Sequence, residues 1–293
     1  MNLRKPLLSV LFLLTWLGCG LHADPILGTT LSSFAVLAAT TVTNAGATTI
    51  SGDVGVSPGS AITGESGITL TGSYHVADST SALAQAQLTA ALTGLAGVSP
   101  VTSLSSPDLS LAGTLSPGFY SVSAGTTNLS SALTLDGGGN ANAAWVFLLP
   151  STLITSSGSS VTVENAGAGA GVYWEVGSSA TLNSGTSFVG NVLANTSITL
   201  GSGVSLGCGR VLASTGAVTM IGDTIGGGCS GSLAGSSGLS GGLEFSDSTV
   251  TTLPPSFPAP VPEPSTWLLL ATGMVGWFVA RAWMGRRGAG RSF

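Results

Sequence analysis

The sequence predicts an all-β chain whose main domain is a three-sided β-solenoid with one long α-helix packed along one face. Three observations support this prediction. A phrase of three short strands is repeated every 18 to 20 residues between positions 171 and 225. One strand of each phrase is apolar on both sides, and an Ala- and Leu-rich segment has the spacing of an amphipathic helix. Repeats of this length, in which each unit stacks on the next, are typical of solenoids.

The middle strand of the phrase predicts an exposed ladder of hydroxyl groups. Thr181, Thr199 and Thr219 occupy the same place in three successive copies. Side chains alternate between the two sides of a strand, so Leu182 points into the solenoid while Thr181 and Asn183 point out. Short Gly-, Ser- and Asn-containing turns between strands then stack these threonines above one another. We call the side that carries them the ladder face.

The first strand of each phrase requires a cover on its outer side. Residues 145–149 and 172–176 are apolar at odd and even positions alike, as in strands that are buried on both faces. A helix capped by Asp78 or Ser79 and running over residues 79–95 supplies that cover. Its length of about 25 Å matches about five strands stacked about 4.8 Å apart. Its apolar stripe consists of Ala84, Leu88, Ala91, Leu92 and Leu95.

The amino-terminal residues 1–23 are typical of a secretory signal peptide. Arg4 and Lys5 precede an apolar run over residues 7–17, and small residues before Asp24 fit a cleavage site. Cys19 follows Leu17-Gly18, so a lipoprotein signal is the alternative, although the bulky Trp16 stands where a small aliphatic residue is usual. Either interpretation predicts export.

The carboxy-terminal region divides into a linker and a tail. Residues 230–260 are rich in Gly, Ser and Pro, as in a flexible linker. Residues 261–293 contain Pro262, Glu263 and Pro264, then an apolar stretch, then four arginines. This order resembles the PEP-CTERM sorting tail of Gram-negative bacteria. The resemblance implies export, a transient membrane anchor with cytoplasmic arginines and processing by an exosortase-type enzyme; an ordinary tail anchor is the alternative.

The charge distribution excludes some classes of partner. Residues 24–260 contain eleven acidic residues and a single basic residue, Arg210. So acidic a domain repels the phosphate backbone, and we therefore expect no nucleic-acid partner.

The cysteines predict one disulfide. Cys19 is removed with the signal peptide, which leaves Cys208 and Cys229 to pair and to clamp the last turn of the solenoid, at a gain of about 3 kcal/mol. His75 is the one histidine left after that cleavage, so we predict no metal site and no cofactor.

Several motifs together resemble the microbial ice-binding protein family. They are Leu27-Gly-Thr-Thr-Leu-Ser-Ser-Phe-Ala-Val-Leu37, Ser51-Gly-Asp-Val-Gly-Val-Ser-Pro-Gly59, the Ala-rich helix, Leu115-Ser-Pro-Gly-Phe-Tyr120, Val189-Gly-Asn-Val-Leu-Ala194 and Gly209-Arg-Val-Leu-Ala213. The match extends in order over residues 26–229, within a predicted domain of residues 24–229. The resemblance implies a discontinuous right-handed β-solenoid with the helix alongside. It also implies an ice-crystal partner.

Binding to ice requires a flat, rigid, uncharged surface whose methyl and hydroxyl groups order water. Threonine suits this because its χ1 angle is stiff and it presents both groups. Some ice-binding relatives carry Thr-Gly-X-Thr-like motifs at the edge of the ladder face, whereas this chain has Ser-Gly-X-Ser, so we expect weaker activity. The predicted ice-binding residues are Thr152, Ile154, Thr181, Asn183, Thr199, Thr219, Ser157, Ser160, Ser184, Ser187, Ser202 and Ser205.

Two other functional classes are compatible with a solenoid fold. Right-handed β-helices also occur in polysaccharide-cleaving enzymes, which need clustered acids beside a cation or metal. Here His75, Arg210, Glu175 and Asp223 are dispersed along the sequence, so we predict no enzyme. The main alternative is a non-catalytic adhesin or extracellular-matrix protein, with exopolysaccharide as its partner. For the ice-binding and the adhesin interpretation alike, we expect an exported monomer.

Overall fold

The computed structural model describes residues 24–99, 101–123, 125–246 and 249–257. The predicted signal peptide, residues 1–23, and the predicted sorting tail with Pro262, Glu263 and Pro264 lie outside these residues. The elements below belong to the compact unit that ends at Ser256.

The chain forms one long helix and many short strands. The helix α1 spans Ser79–Ala96, and short 3-10 turns lie at Leu31–Ser33, Glu65–Gly67, Leu109–Ala112 and Gly231–Leu233. The strands are β1 (Asp24–Pro25), β2 (Phe34–Ala38), β3 (Thr41–Ala45), β4 (Thr48–Ser51), β5 (Asp53–Val56), β6 (Ala61–Thr63), β7 (Ile68–Leu70), β8 (Tyr74–Val76), β9 (Thr102–Ser103), β10 (Thr114–Leu115), β11 (Gly118–Ser121), β12 (Thr127–Leu129), β13 (Ala132–Asp136), β14 (Ala144–Leu149), β15 (Leu153–Thr155), β16 (Ser160–Glu164), β17 (Gly171–Val176), β18 (Ala180–Leu182), β19 (Ser187–Ala194), β20 (Ile198–Leu200), β21 (Ser205–Ala213), β22 (Val218–Ile221), β23 (Thr224–Gly226), β24 (Leu243–Ser246) and β25 (Thr249–Thr252).

These strands build the three-sided parallel solenoid that the repeat predicts. The ladder face is the sheet β12-β15-β18-β20-β22-β3-β6. The covered face consists of β9, β11, β14, β17, the second halves of β19 and β21, β2, β5 and β8. The third face consists of β10, β13, β16, the first residues of β19 and β21, β23, β4 and β7. The all-β class, the three sides and the helix are confirmed, while the right-handed sense remains a prediction.

The order of the turns in space differs from their order in the sequence. The last repeat of the chain does not end the stack, because β2, β3 and β4 pair in parallel with β21, β22 and β23. The amino-terminal turns, residues 34–76, therefore continue the stack beyond residue 226. The disulfide Cys208–Cys229 forms as predicted. However, the amino-terminal turns stack beyond the turn that carries this disulfide. The prediction that it clamps the last turn of the solenoid is therefore wrong.

The helix begins and packs as its sequence pattern predicts. The Asp78 carboxylate accepts a hydrogen bond from the Ser81 N–H at 2.7 Å and so caps the helix. All five residues of the predicted stripe are buried. They pack against outward side chains of the covered face, including Leu37, Leu193 and Leu212, which form a second core outside the solenoid. Among the residues described, no helix is both long enough and apolar enough to cross a membrane.

Part of the predicted linker is folded. Residues 230–246 and 249–256, which we call the C-terminal strap, run over the covered face beside the helix. Leu239 and Leu243 are buried, and β24 pairs with β1 and β25 in a small antiparallel sheet. The Phe245 ring fills the space above Gly94, where an added Cβ would lie 2.6 Å from it. The linker prediction is therefore wrong over this range, because the few apolar residues among the Gly and Ser find an apolar surface to cover.

The interior of the solenoid is filled by stacked aromatic rings and aliphatic rows. Phe147 and Trp174 stack with their ring centroids 4.1 Å apart. The indole N–H of Trp174 donates to the Val189 carbonyl at 2.9 Å, so its one polar group is satisfied. This dense filling gives the sheets around it a rigid support.

Candidate functional site

The ladder face presents a continuous column of outward side chains. Each member lies directly beside the next in the parallel register. Five of its seven members are threonine. In order along the stack the column is Asn128, Ile154, Thr181, Thr199, Thr219, Thr43 and Thr63.

Inward neighbours hold this column in place. Ala180, Leu182, Ile198, Leu200 and Val218 alternate with the outward threonines, and each is no more than 1 % exposed. The alternation therefore fixes which side each threonine faces, since a slip of one residue would expose the whole inner row. Thr199 and Thr63 are exposed, and Thr181, Thr219 and Thr43 are half-buried by their neighbours.

Three residues of the column were missed by sequence reasoning: Asn128 and two threonines of the amino-terminal turns. Thr43 and Thr63 come from the amino-terminal turns, more than 150 positions from Thr219 in the chain, yet Thr219 and Thr43 are adjacent in register. A usable signal was present, because Thr41-Val-Thr43 and Ala61-Ile-Thr63 show the same alternation as the later copies. What the pattern lacked was the order in which the turns stack.

Thr152 precedes β15 and lies on the same side, half-buried, in a second row two positions before the column. Thr41 and Ala61 occupy this second row in the amino-terminal turns, where they are adjacent in register. Alternate residues on a strand are about 7 Å apart and neighbouring strands about 4.8 Å apart, so the two rows form a regular grid.

Asn183 has a different position from the one predicted. Its side-chain N–H donates to the Thr155 carbonyl at 2.7 Å, and its backbone N–H donates to Thr155 Oγ1 at 2.9 Å. Thr186 Oγ1 in turn donates to the Asn183 carbonyl at 2.6 Å. Asn183 therefore joins two consecutive turns at the corner of the solenoid, and its amide is directed toward the protein.

The predicted serines divide between a corner and the third face. Ser157, Ser184 and Ser202 are exposed at the corner, each before a glycine. These glycines, Gly158, Gly185 and Gly203, have φ angles of 72°, 70° and 71°, which residues with a Cβ rarely adopt. Beyond the corner, Ser160, Ser187 and Ser205 lie side by side in register on the third face. The twelve predicted residues thus occupy two faces and the corner between them.

A buried polar cluster connects the amino-terminal turns to the last repeat beneath this corner. Asp223 is 2 % exposed, and its carboxylate accepts from the N–H groups of Val204 and Ile221 at 2.8 and 2.7 Å. Its own N–H donates to Thr48 Oγ1, which donates to Asn44 Oδ1 at 2.6 Å. Burial raises the pKa of Asp223, and the two backbone hydrogen bonds oppose that shift. The cluster fixes the register across the junction.

Arg210 is a structural residue of the covered face. It is 2 % exposed, and its guanidinium donates to the carbonyls of Ser32 and Gly238, to Ser237 Oγ and to Asn191 Oδ1. Burial lowers its pKa to about 10. Arg210 therefore connects the amino-terminal segment, the solenoid and the C-terminal strap, and contributes no positive charge to the exposed faces.

Two acidic residues lie at the ends of the ladder column: Asp108 forms a parallel bridge with Asn128, and Glu65 follows Thr63 by two positions. His75 Nδ1 lies 2.8 Å from Asp78 Oδ2, at the end of the stack formed by the amino-terminal turns. Glu175 lies on the covered face and is 9 % exposed. Within the described part of the chain, no three His, Cys, Asp or Glu side chains are grouped so as to hold a metal ion. The ladder column itself contains no charged residue.

Comparisons with known proteins agree with this geometry. The Ice-binding-like family profile matches residues 36–226, and the PEP-CTERM protein-sorting motif matches residues 260–287. An ice-binding protein of Nostoc sp. (strain HG1) is 46% identical over 191 residues, which are 65% of this chain and 70% of that protein.

Solved structures of ice-binding proteins share the fold. One from an Antarctic biological consortium has a TM-score of 0.64 and 35% identity, over 77% of this chain and 94% of that chain. One from the Antarctic ascomycete Antarctomyces psychrotrophicus has a TM-score of 0.63 and 35% identity, over 69% of this chain and 97% of that chain. Because the family profile covers most of the chain, including every strand of the ladder face, this protein belongs to the Ice-binding-like family.

Proposed function

We propose that this protein is exported and binds ice crystals through its ladder face, acting as a monomer that restrains ice growth and recrystallisation. The observation that carries the proposal is the uninterrupted run of Thr181, Thr199, Thr219, Thr43 and Thr63 on one parallel sheet. A relative named an ice-binding protein, which is 46% identical, supports it.

The chemistry of the run suits water at a crystal surface. Each threonine presents a methyl group and a hydroxyl with a restricted χ1 angle. Little side-chain conformational entropy is therefore lost when the face binds to ice. The spacings of about 4.8 Å between strands and about 7 Å along them give a two-dimensional grid that approximates repeats of ice. Since the ladder column carries no charge, it does not hold the tightly oriented hydration shells that would disturb that grid.

Export and attachment follow from the tail. The match of residues 260–287 to the PEP-CTERM sorting motif supports export to the cell surface or the extracellular space. We infer that an exosortase-type enzyme cleaves near Pro262, Glu263 and Pro264, after a transient stage in which the apolar segment anchors the chain.

The test is ice-affinity partitioning of residues 24–257 with the disulfide intact, together with ice-recrystallisation inhibition. Thr199→Tyr places a bulky ring in the centre of the column and should abolish both activities while the melting temperature stays near that of the wild type. Thr93→Tyr is the matched control, because Thr93 is exposed on the helix, away from the ladder. It should keep full activity.

Two outcomes would refute the assignment. Equal loss of activity in both variants would show that Thr199 has no special role. Exclusion of the well-folded wild type from ice would refute ice binding altogether, and the non-catalytic adhesin or matrix function, with exopolysaccharide as the partner, would then become the hypothesis to test.

A further inference from the structure

We propose that the third face is a second ice-contact surface that acts separately from the ladder face, so that one molecule adsorbs to two sets of ice planes. This inference rests on the proposed function. The evidence for it is a second hydroxyl column, its composition, and the geometry of the corner between the two faces.

The second column is as continuous as the first. Each member is adjacent to the next in the parallel register. All are exposed except Ser160, which is half-buried. In order along the stack the column is Ser160, Ser187, Ser205, Thr224, Thr49 and Thr69. Its hydroxyl groups therefore repeat with the same spacing of about 4.8 Å as those of the ladder face.

Serine changes to threonine along this column at the junction of the stack. The last repeat and the two amino-terminal turns carry threonine on both faces, as the pairs Thr219 and Thr224, Thr43 and Thr49, and Thr63 and Thr69. Ser51 and Thr71 follow Thr49 and Thr69 by two positions. Both are exposed and add a second row. At this end the third face thus offers the stiff methyl and hydroxyl grid that the ladder face offers from Thr181 to Thr63.

The corner keeps the two columns on separate planes. It turns through glycines with positive φ, among them Gly203, Gly222 and Gly46 at 71°, 66° and 90°. Beneath it, Asn44, Thr48 and Asp223 bond strands of the ladder face to strands of the third face. A convex, internally bonded corner cannot flatten, so a planar crystal face contacts one column at a time. Two surfaces on one rigid body then select planes independently.

Charge further limits the working part of the third face. Asp136 and Glu164 are neighbours in register at the opposite end of this sheet, and Glu65 is exposed beside the outermost turn. The region around Thr224 and Thr49 lies between these charges. We therefore assign the contact to Thr224 and Thr49, with the serines as its weaker continuation.

The test is adsorption of the fluorescent, amino-terminally tagged exported domain to a single ice crystal grown as a hemisphere, on which bound planes become visible. The wild type should stain two sets of planes. Thr49→Tyr combined with Thr224→Tyr should remove one set, and Thr43→Tyr combined with Thr219→Tyr should remove the other. The four substitutions together should remove both, and Thr93→Tyr should change nothing.

Each result is decisive. If the Thr49 and Thr224 variant stains as the wild type does, or if the wild type stains one set that the Thr43 and Thr219 variant alone abolishes, the second surface is refuted while the proposed function stands. If the wild type stains no plane, the proposed function itself fails. Should the variant with Thr49→Tyr and Thr224→Tyr lose its circular-dichroism melting transition, Thr49→Lys replaces it, because a long flexible cation on an exposed strand position disturbs ice contact without crowding its neighbours.

Discussion

The covered face and the ladder face are built from the same repeat but direct opposite chemistry outward. In the turn of residues 189–206, Leu193 points outward on the covered face and is 0 % exposed beneath the helix, while Thr199 points outward on the ladder face and is exposed. The inward neighbours Val192 and Leu200 are both fully buried apolar residues. The inner rows therefore make the solenoid, and the outer rows decide what each face contacts.

The largest expected effect comes from exchanging these outer residues. Leu193→Thr should lower the free energy of unfolding by about 4 kcal/mol, because it leaves a cavity under the helix and buries a hydroxyl. The reverse change on the other face, Thr199→Leu, should alter it by about 0.5 kcal/mol or less, as is usual at exposed positions. Urea unfolding measures both, and equal losses would contradict the division of roles.

Breaking the disulfide should loosen the C-terminal strap before the ladder face. Cys208→Ser combined with Cys229→Ser should cost about 3 kcal/mol of unfolding free energy for a closed loop of this size. Cys229 lies where the chain leaves the solenoid and the C-terminal strap begins. Amide hydrogen exchange should therefore accelerate first in residues 230–256, with strands β18 and β20 still protected. Uniform acceleration over the whole solenoid would argue against this order.

The stability of the protein should depend on pH through Glu175, which is buried on the covered face. Burial raises the pKa of Glu175 above its ordinary value of 4.5, and a hydrogen bond from Asn195 opposes the shift. The folded protein therefore holds this proton more tightly than the unfolded chain does, and as pH rises through and above 4.5 the contribution of Glu175 to stability falls.

Glu175→Gln should accordingly raise the melting temperature at pH 7 and leave it nearly unchanged at pH 3, because glutamine keeps the hydrogen bond with Asn195 but carries no charge. Melting curves across this range measure the effect. A gain of the same size at both pH values would show that ionisation of Glu175 is not its cause.

The smallest change separates the methyl group of the ladder from its hydroxyl. Thr199→Val keeps the shape and the stiff χ1 angle, and should alter the unfolding free energy by about 0.5 kcal/mol or less. Ice-recrystallisation inhibition should decrease, but less than in Thr199→Tyr, because the flat surface is retained. Activity as low as that of the tyrosine variant would mean that the hydroxyl, rather than the fit, dominates.

Local patterns in the sequence were sufficient to predict much of this molecule. The period of the repeat predicted the three sides, the Asp78 cap and the apolar stripe predicted the helix, and elimination predicted the pair Cys208 and Cys229; all three are confirmed. Each depends on neighbours within one turn or on the number of available partners. The positions of Thr181, Thr199 and Thr219 on one column belong to the same class.

The missed features depend on contacts between distant segments. Thr43 and Thr63 join the column only because the amino-terminal turns stack on the last repeat, and periodicity carries no information about that order. Asn183 follows the alternation of its strand, but hydrogen bonds to Thr155 in the preceding turn redirect its amide. Leu239 looked like part of a linker, since its burial depends on the covered face rather than on its own neighbours.

The junction at Asp223 and Thr48 has a consequence for how the domain is made. A ribosome delivers the amino-terminal turns first, yet the repeat on which they stack is synthesised more than 150 residues later. Until then β2, β3 and β4 each expose an unpaired edge, which is open to pairing with other chains. This junction, two or three strands from one end of the stack, is thus completed last, when Arg210 reaches the Ser32 carbonyl across a separation of 178 positions. Loop closure over such a length is slow, so the formation of this one seam should set the pace of folding after export.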